Sequence, residues 1–375
     1  MKLKLILLLF IGSVTLLKAQ NDRLEISIIT CAPGAELYSV FGHSAIHVVN
    51  HDTGVDRIFD FGTFDFDTPN FAYRFIKGRL KYHLSIRDPE KFRFAYTYEN
   101  RLLIEQRLDL PYAQKEQIVQ RLLELYKPEN RSYYYSFLEK DCSTDLRDLL
   151  EHVGVEFSRE MLGKSKREQV NEYLQSRPWL KLGVNLILGR QLDAEASRFE
   201  STFLPDYLKR EIDAATFQGK PLVASEMALN RVLATEEGGF MNYFSPLLIL
   251  SILFLLSVFW FPKAVKVFWT SFIGLGGLLV LAIWLFSDHP EVKNNLNLLW
   301  CNPLYLLYIP LIIKNTASRL LPFILLSGLT ICTISWLVGW QSFDIGIIPL
   351  LLLLAMINLK ELKRAQLHGP HQTSP

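Results

Sequence analysis

Asp141-Cys142-Ser143-Thr144-Asp145-Leu146-Arg147-Asp148-Leu149-Leu150 reads as the start of a helix with a cysteine in its first turn, and the fold follows from what that helix packs against. Asp141 and Ser143 are both N-cap residue types. Leu146, Leu149, Leu150 and Val153 recur on one face at helical spacing, and Gly154 ends the run. About a hundred residues earlier, Phe41-Gly42-His43-Ser44-Ala45-Ile46-His47-Val48-Val49 reads as a strand. Ile46, Val48 and Val49 are β-branched, and His51-Asp52-Thr53-Gly54 is a hairpin turn in which Gly54 supplies the positive φ. A cysteine at a helix start feels the partial positive charge of the free amide ends, which favours thiolate over thiol. A histidine brought beside it completes the nucleophile–base pair of a cysteine hydrolase or acyltransferase.

The rest of the chain says where such chemistry would occur. Lys2 and Lys4, the apolar run Leu5–Leu17 and the small Ala19 form the three regions of a signal peptide over residues 1–19. From Gln20 to Gly239 the composition is ordinary globular material, long enough for one good core with appended helices. Five apolar runs follow, at roughly 244–262, 267–286, 297–313, 320–340 and 344–359. The second and fourth have the ~20 residues that a bilayer crossing needs, and the third and fifth fall short of it. Lys263 and Lys266 follow the first run, Lys314 and Arg319 the third, and Lys360, Lys363 and Arg364 the fifth. The loops at 287–291 and 341–344 carry no lysine or arginine. Positive charge on alternate loops puts the globular part outside the cytoplasm and the C-terminus inside. An exported domain tethered by five membrane spans is therefore expected, with membrane lipid as a neighbour. A net charge of +2 and export both argue against nucleic acid as a partner.

Four cysteines set the redox question. Cys301 and Cys332 fall in apolar runs as small packing residues. Cys31 and Cys142 lie in the exported part, where a disulfide between them would compete with a catalytic thiol. The helix-start position of Cys142 favours the reactive thiol. His43, His47 and His51 project from one face of a strand, a spacing that could place two of them on zinc. The β-branched residues and the hairpin turn argue against the helical spacing that makes such a metal signal strong, so no metal and no cofactor is expected. His47 reads as a satisfied strand histidine or a substrate contact. The hairpin sets residues 62–63 roughly opposite His43, which makes Asp60 the better acceptor for the imidazole N–H. The aromatic-basic run Tyr73–Tyr82 could seat an anionic group. The stretch His289–Pro303, with four asparagines and Trp300, puts polar side chains at the outer interface, either for capping and anchoring or for a ligand.

The fold class expected is α+β, a cysteine-bearing helix packed on an antiparallel sheet, followed by an all-α membrane domain. Strands are predicted over 24–30, 44–50, 55–61 and parts of 78–84 and 101–109. Helices are predicted over about 87–98, 112–126, 133–140, 142–153 and 167–174, with further helical pieces over 205–218 and 225–234.

Phe41–Ala45, Phe59-Asp60-Phe61-Gly62-Thr63-Phe64-Asp65-Phe66, Asp141–Asp148, Phe203-Leu204-Pro205-Asp206-Tyr207-Leu208 and the His289–Pro303 stretch carry a resemblance over almost the whole chain. Together they resemble the Lnb N-terminal periplasmic domain family of envelope proteins with its five-helix C-terminal membrane domain. The histidine-before-cysteine order, the reverse of papain's, is similar to the circularly permuted papain-like proteins, NlpC-type and lecithin:retinol acyltransferase relatives among them. The resemblance implies a papain-like periplasmic domain over 20–160, a helical extension over 161–240, a five-span domain over 241–360 and a cytoplasmic tail over 361–375. It carries over Cys142 as nucleophile and His43 as base, to which the hairpin adds Asp60. His47 and Asp141 are the candidate substrate contacts, and Asp141 stands where the family more often has Asn. The function expected is a thiol hydrolase or acyltransferase acting on an amide or ester bond of cell-envelope material, whether lipid, peptidoglycan or protein. The alternative is a non-catalytic envelope assembly or chaperone module that binds its partner through a degenerate papain-like fold. The charge pattern predicts that a C-terminal fluorescent fusion glows and a C-terminal phosphatase fusion is silent; the reverse result would overturn the orientation.

Overall fold

The computed structural model describes residues 23–233 and 244–367, so the signal peptide expected over 1–19 lies outside the described residues. The described residues fall into two compact units, 23–164 with 195–233, and 165–194 with 244–367.

Seven strands make the main sheet of the first unit: β1 (Leu24–Cys31), β2 (His43–Asn50), β3 (Val55–Thr63), β4 (Lys81–Arg87), β5 (Leu103–Leu108), β6 (Ser132–Tyr134) and β7 (Val223–Ala228). Their spatial order is β7-β5-β1-β2-β3-β4-β6, and every pairing is antiparallel. The helices α1 (Phe71–Lys77), α2 (Pro89–Tyr98), α3 (Tyr112–Tyr126) and α4 (Cys142–His152) accompany it. Alternation along the strands decides the two faces. Ile26 and Ile28, Ile46 and Val48, and Phe59 and Phe61 meet Ile118 and Leu122 of α3 and Leu146, Leu149 and Leu150 of α4. The intervening Ile29, Ala45 and Ile58 pack with Phe92 of α2. The β2–β3 turn is fixed locally. Asn50 Oδ1 accepts from the amides of Asp52 and Thr53 at 3.0 and 3.1 Å, and Gly54 takes φ +68°.

The α+β class is thus observed, with two corrections to the elements. Residues 133–140, predicted helical, open with β6, and Ser136 and Lys140 form an isolated bridge. Residues 225–234, also predicted helical, contain most of β7. In both cases a sheet edge decides. The open backbone of β4 pairs with Ser132–Tyr134, and that of β5 pairs with Val223–Ala228, and a free strand edge outweighs a weak local helix preference.

In the second unit, Lys263–Phe286, Leu320–Leu337 and Ile345–Leu367 are long and apolar enough to cross a membrane. Pro290–Leu299 and Pro303–Ile313 pass that test only together, bent by 44°, and Pro246–Phe259 is a shorter apolar helix. The last run, expected to be short, is a 23-residue segment, because its helix continues through the charged residues after Leu359. Backbone contact holds the bent segment: a Cβ on Gly277 would lie 2.4 Å from the carbonyl oxygen of Cys301.

Two of the four asparagines of the His289–Pro303 stretch, Asn295 and Asn297, are spent on residues 165–194. Asn295 Nδ2 donates to the carbonyls of Leu186 and Ile187 at 2.8 and 2.9 Å. Asn297 Nδ2 donates to the carbonyl of Asn185 at 2.9 Å, and its Oδ1 accepts from Trp300 Nε1 at 2.8 Å. Arg167 lies buried beside them, donating through Nε and Nη2 to Asp193 at 2.8 and 3.0 Å and through Nη1 to Asn185 at 3.0 Å. Of the two readings of that stretch, capping and anchoring is the one these bonds describe. Asn297→Ala would strand buried carbonyls, a cost of about 1–3 kcal/mol. It should therefore speed proteolytic cleavage within 175–195 of the detergent-solubilised chain by severalfold. Unchanged cleavage would mean that other contacts hold the segment.

Candidate active site

Local chemistry fixes the end of α4 that carries the thiol. Asp141 is its N-cap: its side chain accepts from the amides of Ser143 and Thr144 at 2.9 and 2.7 Å, while Thr144 Oγ1 accepts from the Asp141 amide at 2.8 Å. This reciprocal cap spends two of the first-turn donors. The amide of Asp145 begins the intrahelical ladder, and the amide of Cys142 is the one left over beside its own sulfur. A buried hydrogen bond of 3.1 Å between Ser143 Oγ and Ser44 Oγ pins this turn to β2. Because Ser44 follows His43 and Ser143 follows Cys142, that bond brings the imidazole and the thiol together, near enough for negative charge on the sulfur to act on the ring.

Gly62 lies against both side chains. It sits in β3 where the pairing with β4 slips between Asp60 and Thr63, and its φ is +82°. A Cβ there would contact Cys142 Cβ at 3.8 Å and His43 Cε1 at 3.9 Å, so any larger side chain would enter the space that the pair shares. Glycine is also the residue that takes this φ without strain. The Gly62 amide donates to Tyr133 Oη at 2.8 Å. Burial pushes the Tyr133 hydroxyl well above its usual range, so it stays protonated.

His43 Nε2 donates to Asp60 Oδ1 at 2.5 Å, and the other carboxylate oxygen accepts from Arg87 Nε at 2.6 Å. Burial works against a charged imidazole at this position. Negative charge at Cys142 and on Asp60, with the hydrogen bond to Asp60, outweighs it and lifts His43 to about 10. Negative charge on either neighbour therefore favours an imidazolium between sulfur and carboxylate. That arrangement can attack a carbonyl carbon through sulfur and deliver a proton to a leaving group.

The other candidate residues lie elsewhere. His47 binds Glu105 through Nδ1 and Asp56 through Nε2, both at 2.7 Å, and these carboxylates raise it above its ordinary value against burial. His51 pairs with Glu25 at 3.0 Å. Each of the three spaced histidines thus has carboxylate partners of its own. Asp141 is buried in the cap, and burial lifts its carboxyl to about 7 despite the hydrogen bonds it accepts. Cys31 and Cys142 are both free thiols. Cys31 lies opposite His43 in the β1–β2 register, buried, with its thiol pushed up by burial. Sequence reasoning missed Arg87, Tyr133 and the role of Gly62. Only Gly62 left a signal, as a lone glycine inside a strand pattern.

Fold and site together define a membrane protein whose α+β domain carries a cysteine–histidine–carboxylate cluster. Residues 14–168 match the Lnb N-terminal periplasmic domain and residues 235–364 match the Lnb transmembrane domain. The chain belongs to this Lnb family, with its N-terminal domain periplasmic. Neither a curated protein nor a solved structure matches the chain.

Asp141 offers a test of the cap. Its folded-state value lies above the ordinary 3.8, so its ionisation takes stability away as pH rises from about 4 to about 7. Asp141→Asn keeps the cap acceptor and removes the charge. The variant should match wild type in Tm near pH 4 and exceed it increasingly up to pH 7. A gap that does not change with pH would show that the buried carboxyl is not the cause.

Proposed function

We propose that the periplasmic domain is a thiol-dependent acyl-transfer enzyme, a hydrolase or acyltransferase acting on an amide or ester bond of cell-envelope material. The observation that carries this reading is the cluster Cys142, His43 and Asp60 at a helix N-terminus, with His43 hydrogen-bonded to Asp60 and both Cys142 and His43 lying against Gly62. In the first half-reaction Cys142 Sγ adds to the carbonyl carbon and the carbonyl π pair moves onto oxygen, beside the unspent amide of Cys142. The His43 imidazolium gives its proton to the leaving nitrogen or oxygen as that bond breaks. A thioester remains on Cys142, with a neutral imidazole beside it. In the second half-reaction water, or an acceptor amine or hydroxyl, attacks the thioester and passes its proton to His43, and Cys142 departs as thiolate.

An aromatic shelf begins two residues beyond Gly62. Phe64 and Phe66 lie 4.8 Å apart between ring centres, Phe66 and Phe71 5.2 Å, and Tyr38 and Phe66 5.8 Å, with Tyr38 and Phe66 exposed. Such a surface supports a substrate with an apolar part. The reading also includes a circularly permuted papain-like core, removal of the signal peptide after Ala19, and five membrane crossings that leave the C-terminus in the cytoplasm.

Acylation of Cys142 by p-nitrophenyl acetate, followed by peptide mass in the detergent-solubilised full chain, tests the mechanism. Cys142→Ser should abolish it. His43→Ala should cost on the order of 10²–10⁴-fold, and the double variant should be no worse than the worse single one, because the two act as a unit. A step that needs the imidazolium should fail as pH rises through about 10. If Cys142→Ser and His43→Ala both complement a deletion strain at wild-type abundance, the domain is a binding module instead.

A further inference from the structure

We infer that Arg87 is a positioning residue for the Cys142–His43 pair, acting through Asp60; this rests on reading those three residues as one catalytic unit. Arg87 ends β4, and its register partner on β3 is Ile58, two residues from Asp60. Its Nε donates to Asp60 Oδ2 at 2.6 Å while His43 Nε2 takes Oδ1 at 2.5 Å. Each carboxylate oxygen thus has its own cationic donor, and the carboxylate plane cannot turn without breaking one of the two bonds.

The chemical consequence lies in where the shared proton rests. Asp60 is buried, and a buried carboxylate needs compensating charge. With His43 as its one partner, the Nε2 proton could pass to Oδ1, giving a neutral acid beside a neutral imidazole. That pair would no longer oppose negative charge on Cys142. A guanidinium does not give up its proton in this range, so Arg87 holds Oδ2 with a lasting positive charge and leaves Oδ1 turned to His43.

The other groups that face Asp60 do not replace it. Cys31 of β1 and Tyr96 of α2 are pushed up by burial and stay neutral. His83 of β4 is pushed down, by burial first and by Arg131 and Arg87 after it. Cys142 of α4 carries negative charge when it is ionised. Arg101, the remaining cation on that side, stacks on the Tyr96 ring at 4.6 Å, donates to the carbonyl of Ala32 and pairs with Glu99. Arg87 is the cation in direct contact with the carboxylate besides His43.

The test is the rate of Cys142 alkylation by iodoacetamide against pH, read by peptide mass on the detergent-solubilised full chain. Arg87→Ala should displace the curve toward higher pH and slow alkylation at neutral pH about threefold, a modest loss because Arg87 is half exposed. Arg87→Lys, which restores the charge without the planar donor, should fall between Arg87→Ala and wild type. Asp60→Asn should move the curve at least as far as Arg87→Ala. If Arg87→Ala does not accumulate, Arg87→Gln carries the same reading. An Arg87→Ala curve that superimposes on wild type, while His43→Ala and Asp60→Asn curves shift, would make Arg87 a plain surface ion pair. If His43→Ala leaves the curve in place as well, the pairing of Cys142 with His43 fails first.

Discussion

The clasp of α4 onto β2 through Ser44 and Ser143 is the contact on which the site depends. Both hydroxyls are fully buried, so each needs the other. The apolar residues of the helix behind them, Leu146, Leu149 and Leu150, fix its distance from the sheet. What they do not fix is its position along its own axis. A helix that slid by one residue would still bury three leucines, but Ser143 would lose Ser44 and Cys142 would lose His43. One short polar bond therefore sets the register between helix and sheet, and the reacting side chains flank it on either side.

Two buried ionisable groups near this turn show how burial and charge compete. Asp141 accepts from two amides and a hydroxyl, yet its carboxyl is raised because no cation meets it and water is excluded. His43 sits in a comparable setting and is also raised, which for a base means stabilised charge. The difference is the company each keeps. Hydrogen bonds from neutral donors soften desolvation without cancelling it, whereas full opposite charges at contact distance reverse its effect. Charge is thus favoured at His43 and disfavoured at the Asp141 cap.

The site was legible in the sequence to the extent that its geometry is local. The Asn50–Gly54 turn fixes the β2–β3 hairpin, and counting outward from it reaches Asp60 from His43. The Asp141-Cys142-Ser143-Thr144 run announces a capped helix with a cysteine in its first turn. Arg87 and Tyr133 could not be found this way. Both reach the site through β4, which joins β3 across a long connection and a slipped register, and β6 reaches it only through its pairing with β4. The same limit explains β6 and β7. Their strand character comes from the open edges of β4 and β5, and nothing in Ser225–Ala228 itself favours a strand over a helix.

The first unit is also discontinuous in a way that periodicity does not reveal. Leu208 and Ile212 of the helix Pro205–Ala214, together with Phe217 and Leu222, are buried in the same core as Leu146 and Ile28. β7, which follows them, closes the sheet beside β5. A cut near residue 160 would uncover that apolar surface and leave β5 as an open edge, which invites aggregation. Residues 165–194 meanwhile carry their own buried polar set, Arg167, Asn185 and Asp193, satisfied among themselves and by the asparagines at 295 and 297. Each polar group in that set finds its partner within the second unit, and each leucine of 205–222 finds its partner within the first. The boundary between the units is therefore drawn by which side chains can satisfy one another, and the chain crosses it more than once to do so.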